Sequence, residues 1–126
     1  MARILLVEDE EEIRSMLAEV LADAGHEVIE AESGDAAALI LDQFDNLDAL
    51  VTDVHMPGRL NGLGLGRRFR ERHALSPILY VTGSPDALRD LPLRQDRDIV
   101  LLKPYGLLTL VATVQAMLAG GLLGAD

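Results

Sequence analysis

The sequence contains no cysteine, which removes three kinds of chemistry together: a disulfide framework, a thiolate metal site and a cysteine nucleophile. It is also short of positive charge, with 11 basic residues against 21 acidic ones and a formal net charge of −10. A surface that condenses onto phosphate backbones needs clustered Lys and Arg, so autonomous nucleic-acid binding is not expected. Arg67, Arg68, Arg70 and Arg72 do cluster, but Glu71 breaks the run and a solvated helix face accounts for it. A long apolar leader is missing too. Ile4-Leu5-Leu6-Val7 runs straight into Glu8-Asp9, too soon for a secretory signal, and a cytoplasmic location fits that reading.

What is present is enough for one compact domain: 126 residues, 49% of them hydrophobic, a size that buries a continuous core without covalent staples. Short apolar runs alternate with segments of helical period, the pattern of βα repeats around a parallel sheet. Strands are expected at Ile4–Val7, Glu27–Ala31, Ala49–Asp53, Pro77–Val81 and Ile99–Leu102. Ile13, Met16, Leu17, Val20, Leu21 and Ala24 recur at helical spacing ahead of Gly25. A second helix is expected over Ala36–Phe44 with Leu39, Ile40 and Phe44 as its apolar stripe. A third, over Gly62–His73, is weakened by Gly64 and Gly66, each costing about 1 kcal/mol relative to alanine. Ser84 is placed to cap a short fourth helix through Leu91, and Gly106–Ala119 forms a last one. No long linker or second composition regime suggests an output domain.

An open, doubly wound sheet built from such units binds ligands beyond the carboxyl ends of its strands. The polar residues of this sequence fall there: Glu8 and Asp9 after the first strand, Asp53 at the end of the third, Thr82 after the fourth and Lys103 after the fifth. Two carboxylates about 4 Å apart repel by roughly 4 kcal/mol at an effective dielectric near 20. Three of them need more counter-charge than Lys103 supplies. A hard dication with oxygen ligands would provide it, most naturally magnesium. A lone aspartate at a strand end is usually a turn former or helix cap; five residues at four strand ends form a site.

In these motifs the whole chain resembles a response-regulator receiver domain of two-component signalling. Glu8-Asp9 matches the acidic pair, Asp53 with Met56-Pro57 the phosphoacceptor loop, Thr82-Gly83 the switch hydroxyl and its small neighbour, and Lys103-Pro104 the signature lysine before a cis-type proline bond. The resemblance implies a five-stranded flavodoxin-like α/β fold of strand order 2-1-3-4-5. It implies one receiver domain over residues 1–126, with 120–126 as a short tail. Asp53 would be the nucleophile, taking a phosphoryl group from a histidine kinase or histidine phosphotransfer protein. Asp9 and Asp53 would ligate Mg2+ (or Mn2+) directly, Glu8 through water, and His55 through its backbone carbonyl. Lys103 and Thr82 would bind phosphoryl oxygens. Such a domain is a signalling acceptor that assists its own phosphorylation and dephosphorylation, and is not an enzyme with a separate substrate.

The sequence departs from the family pattern in three places. The stretch Pro57-Gly58-Arg59-Leu60-Asn61-Gly62 is one residue longer than usual, His55 stands two residues past the acceptor, and Val100 replaces the aromatic common three residues before the lysine. Tyr105 and Tyr80 are expected to pack. Gly106–Ala125 carries no charge; Thr109, Thr113, Gln115 and Gly120-Gly121 speak against a membrane span. An amphipathic helix reads better, with Leu107, Leu110, Val111, Val114, Met117 and Leu118 inward and Leu108, Ala112, Ala116 and Ala119 outward. That outer face is a candidate contact surface for a downstream protein or a homodimer. Three other readings compete. A receiver domain cut from a hybrid histidine kinase would share every motif. An aspartyl-phosphate hydrolase would need a second aspartate two residues past Asp53, where His55 stands. A flavin module would need a phosphate-binding loop where Glu8-Asp9-Glu10-Glu11-Glu12 repels phosphate.

Overall fold

A computed structural model describes residues 2–84, 86, 89 and 97–120. Five parallel strands, β1 (Arg3–Val7), β2 (Glu27–Ala31), β3 (Ala49–Asp53), β4 (Ile78–Thr82) and β5 (Ile99–Leu102), form one sheet in the order β2-β1-β3-β4-β5. Four helices are present among the described residues: α1 (Glu11–Asp23), α2 (Gly34–Leu41), α3 (Gly62–Arg72) and α4 (Leu107–Leu118). Most of the fourth helix expected from Ser84 to Leu91, and the tail at 121–126, lie outside the described residues. No described helix is long and apolar enough to cross a membrane.

The strands are apolar on both faces because each face is covered. Successive side chains of β1 point to opposite sides. Leu5 and Val7 join Ala37 and Leu41 of α2 and Leu65 and Phe69 of α3; Ile4 and Leu6 join Leu17 and Leu21 of α1 and Leu110, Val114 and Met117 of α4. The sheet therefore carries two separate apolar layers, and its charged edge is left free at the carboxyl ends.

Two expected faces are corrected by the packing. Met16 is about half exposed, and Leu39 is mostly exposed. α2 buries the side that carries Gly34, Ala37 and Leu41, which turns Leu39 to solvent. The helix begins at Gly34, because the Ser33 hydroxyl accepts from the Ala36 amide, and it stops at Leu41, short of Phe44. In α4 the inward residues are as expected, with Thr113 buried among them and its hydroxyl donating to the Thr109 carbonyl.

Tyr80 is fully buried on β4, as expected. Its ring lies directly on the backbone of Gly66: a Cβ at that position would sit 2.9 Å from Tyr80 Cζ and closer still to the hydroxyl. Gly66 is therefore more than a weak point in α3; it is the space the tyrosine occupies. The Tyr80 hydroxyl has no hydrogen-bond partner among the described residues, and burial pushes its pKa up to about 12. Val100 pairs in register with Tyr80 across the β4–β5 ladder and is only half-buried.

Candidate functional site

The carboxyl ends of β1, β3, β4 and β5 place the polar residues side by side. Asp53 is the last residue of β3 and is buried. Its Oδ2 lies 2.6 Å from Lys103 Nζ, and its Oδ1 accepts from the His55 amide at 3.3 Å. Glu8, just past β1, is buried, while Asp9 is exposed. Carboxylate oxygens of Glu8, Asp9 and Asp53 all lie within 4.8 Å of one another.

One lysine faces three acids, and the electrostatics show the imbalance. Burial, then its hydrogen-bonded neighbour Asp9 and the charge of Asp53, push the Glu8 carboxyl from its ordinary 4.5 up to about 7, although the Glu10 amide donating to Glu8 Oε2 works against them. Desolvation alone would lower Lys103, but its hydrogen bond to Asp53 and the charges of Asp53 and Glu8 outweigh this and raise it. Lys103 thus stays cationic beside the acids. Tyr105, directly after the cis Lys103–Pro104 bond, is raised by burial and then by Glu8.

Thr82 ends β4 and is fully buried. Its hydroxyl accepts from the Ser84 amide at 3.1 Å, which ties it to its own loop. The Lys103 amide donates to the Thr82 carbonyl at 2.8 Å, which ties the two strand ends together. His55 is exposed at the mouth of the site. Behind Asp53, the Gly62 amide donates to the Val54 carbonyl at 3.0 Å, and a Cβ at Gly62 would lie 2.7 Å from Val54 Cα and collide with the Asp53 carbonyl. The longer loop is closed against the backbone of the acidic residue itself.

The site residues expected from the sequence, Glu8, Asp9, Asp53, His55, Thr82 and Lys103, are thus all at this edge. Arg14 was missed: its guanidinium donates to the Glu8 carbonyl at 2.9 Å and pairs with Glu30 at 3.4 Å. A basic residue half a dozen positions past the acidic pair, on the first helix, was the available signal. The arginine run is structural in part, since Arg70 pairs with buried Asp98 and Arg72 with Asp42.

A doubly wound α/β module with an under-neutralised acidic cluster at its switch point belongs to the class that binds an anionic group together with a cation. The chain is a member of the response-regulator receiver domain family, whose model matches residues 4–115. It is 36% identical over 118 residues to the transcriptional regulatory protein CpxR of Escherichia coli strain K12, covering 94% of this chain and 50% of that protein. The chain thus spans about half the length of the curated relatives it matches. Among solved structures it resembles the receiver domain of the hybrid histidine kinase CckA, with 32% identity and a TM-score of 0.77 over 92% of this chain and 98% of that one. It also resembles the response regulator TrrA of Thermotoga maritima in complex with Mg(2+)-BeF, with 27% identity and a TM-score of 0.78 over 93% and 99%. The chain is a phosphoacceptor receiver domain of two-component signal transduction.

Proposed function

We propose that Asp53 is the acceptor and that it takes its phosphoryl group from the phosphohistidine of a histidine kinase or histidine phosphotransfer protein. The carrying observation is the set of three carboxylates within 4.8 Å of one another with Lys103 on Asp53. A carboxylate oxygen of Asp53 attacks phosphorus, the phosphorus–nitrogen bond breaks, and the imidazole nitrogen leaves with the electron pair and takes a proton from solvent. Phosphoryl transfer needs little covalent help; positioning and charge neutralisation supply most of the acceleration.

The donor set fits a hard divalent cation, Mg2+ or Mn2+: all three side-chain donors are oxygens, and they converge within 4.8 Å of one another. Glu8, Asp9, Asp53 and the His55 carbonyl would hold it. When bound, such an ion neutralises charge on the transferring group. Lys103 stands ready to pair with a phosphoryl oxygen. The Thr82 hydroxyl, now held by Ser84, is the group free to re-aim toward another, and that exchange is a difference between the two states that can carry a signal. The signal is then read by protein contact.

The test is intact-mass measurement after incubation with acetyl phosphate and magnesium. The wild type gains one phosphoryl mass, Asp53→Asn gains none, and a chelator suppresses labelling. Undiminished labelling of Asp53→Asn would overturn the assignment.

A further inference from the structure

We propose that Asp35, at the start of α2, is a positioning residue for phosphoryl transfer, acting as a clamp on the loop that follows Asp53. This rests on the reading of Asp53 as the acceptor.

The loop from 54 to 61 is pinned at its base, where the Gly62 amide binds the Val54 carbonyl. Its tip lies against α2. Asp35 Oδ2 accepts from the Arg59 amide at 3.2 Å. Gly58 beside it has φ +107°, and a Cβ there would stand 2.8 Å from the same carboxylate oxygen. One residue further on, the Leu60 carbonyl lies so close to Gly34 that any Cβ at that position would collide with it, while the Leu60 side chain packs against the apolar layer under α2 and α3. The tip is thus seated on Gly34-Asp35, with one side chain supplying the hydrogen bond.

The consequence for the site follows from what the loop carries. His55 donates its amide to Asp53 Oδ1 and contributes the carbonyl assigned above to the cation. Both groups sit between the fixed base and the clamped tip. With the tip released, they are held from one end only, and a misplacement well below one ångström is enough to slow a transfer that depends on positioning. Asp35 touches neither the acceptor nor the transferring group; it acts through the loop.

The experiment compares wild type, Asp35→Ala and Asp35→Asn in three measurements: the rate of mass gain with acetyl phosphate and magnesium, magnesium affinity followed by NMR titration, and hydrogen exchange of the Arg59 amide. Asp35→Ala is expected to lose Arg59 protection, to bind magnesium more weakly and to be labelled about three- to tenfold more slowly, the scale of one hydrogen bond. Its unfolding midpoint should stay close to that of the wild type, since the bond is exposed. Asp35→Asn keeps an acceptor oxygen without the charge and is expected to restore all three. Wild-type rate and affinity in Asp35→Ala would overturn the clamp, as would an Asn variant that behaves like Ala, which would point to charge instead. If the wild type is not labelled at Asp53 at all, the acceptor assignment fails, and the magnesium and exchange measurements still judge the clamp.

Discussion

The two ends of the sheet treat acidic residues in opposite ways. At the amino ends of the strands each acid is matched. Arg3 pairs with Glu27 at 3.2 Å, the Arg3 amide donates to Asp48 Oδ2 at 2.8 Å, and buried Asp98 accepts from the Ile78 amide at 3.0 Å and pairs with Arg70. At the carboxyl ends, Glu8, Asp9 and Asp53 share one lysine. Asp98 and Asp53 are both buried carboxylates beside strand termini, yet the first is neutralised from within the chain and the second is crowded by its own kind. Matched acids serve the fold; the unmatched cluster is a capacity held for something arriving from outside.

That contrast can be broken most sharply at Asp98. Asp98→Ala leaves Arg70 and the Ile78 amide without this buried acceptor and is expected to cost about 3 kcal/mol of folding stability. Denaturant unfolding measures it, and labelling per folded molecule should be unchanged. A variant as stable as the wild type would show that the amino-end pairing is incidental.

A smaller effect, of opposite sense, is expected at Glu8. Its carboxyl is raised to about 7 from 4.5, so the folded chain holds that proton more tightly than the unfolded chain. The resulting stability is fully present below about pH 4.5 and is lost as pH rises through 7. In chelator, the wild type should therefore lose stability on the order of 1–3 kcal/mol relative to Glu8→Gln between about pH 5 and about pH 8. Magnesium should recover that loss in the wild type and much less in Glu8→Gln. Parallel pH curves for the two proteins would remove Glu8 from the unbalanced cluster.

The smallest effect on the fold is expected at Leu108, which is 86% exposed on a helix without charged residues. In a chain of net charge −10, this is a face where two copies can approach without electrostatic opposition. Leu108→Glu should change stability by less than about 0.5 kcal/mol while weakening self-association of the phosphorylated protein in sedimentation. A wild type that stays monomeric when phosphorylated would exclude a second copy as the occupant.

The strands and the acidic edge were legible because their signals are local: an apolar run that ends on a carboxylate identifies both the strand and the place where it stops. Lys103 and Thr82 were legible for the same reason. The helix faces were less so. Leu39 satisfied the helical period yet faces solvent, because the burial of an eight-residue helix such as α2 is decided by Ala37 and Gly34, whose small size is invisible to a count of large apolar residues. Asp98, Arg14 and Asp35 were not legible as partners. Each acts on a residue six or more positions away, and only the fold brings the two together. The longer loop was visible as a length, but its seat on Gly34 was not.

The contact between Tyr80 and Gly66 bears on how this sequence can change over time. Because the ring fills the volume a side chain at 66 would need, the two positions form one heritable unit. Any enlargement at 66 has to be preceded by a reduction at 80, and the reverse order passes through a collision. The route open to descendants of this chain is therefore ordered at this contact, with β4 altering ahead of α3.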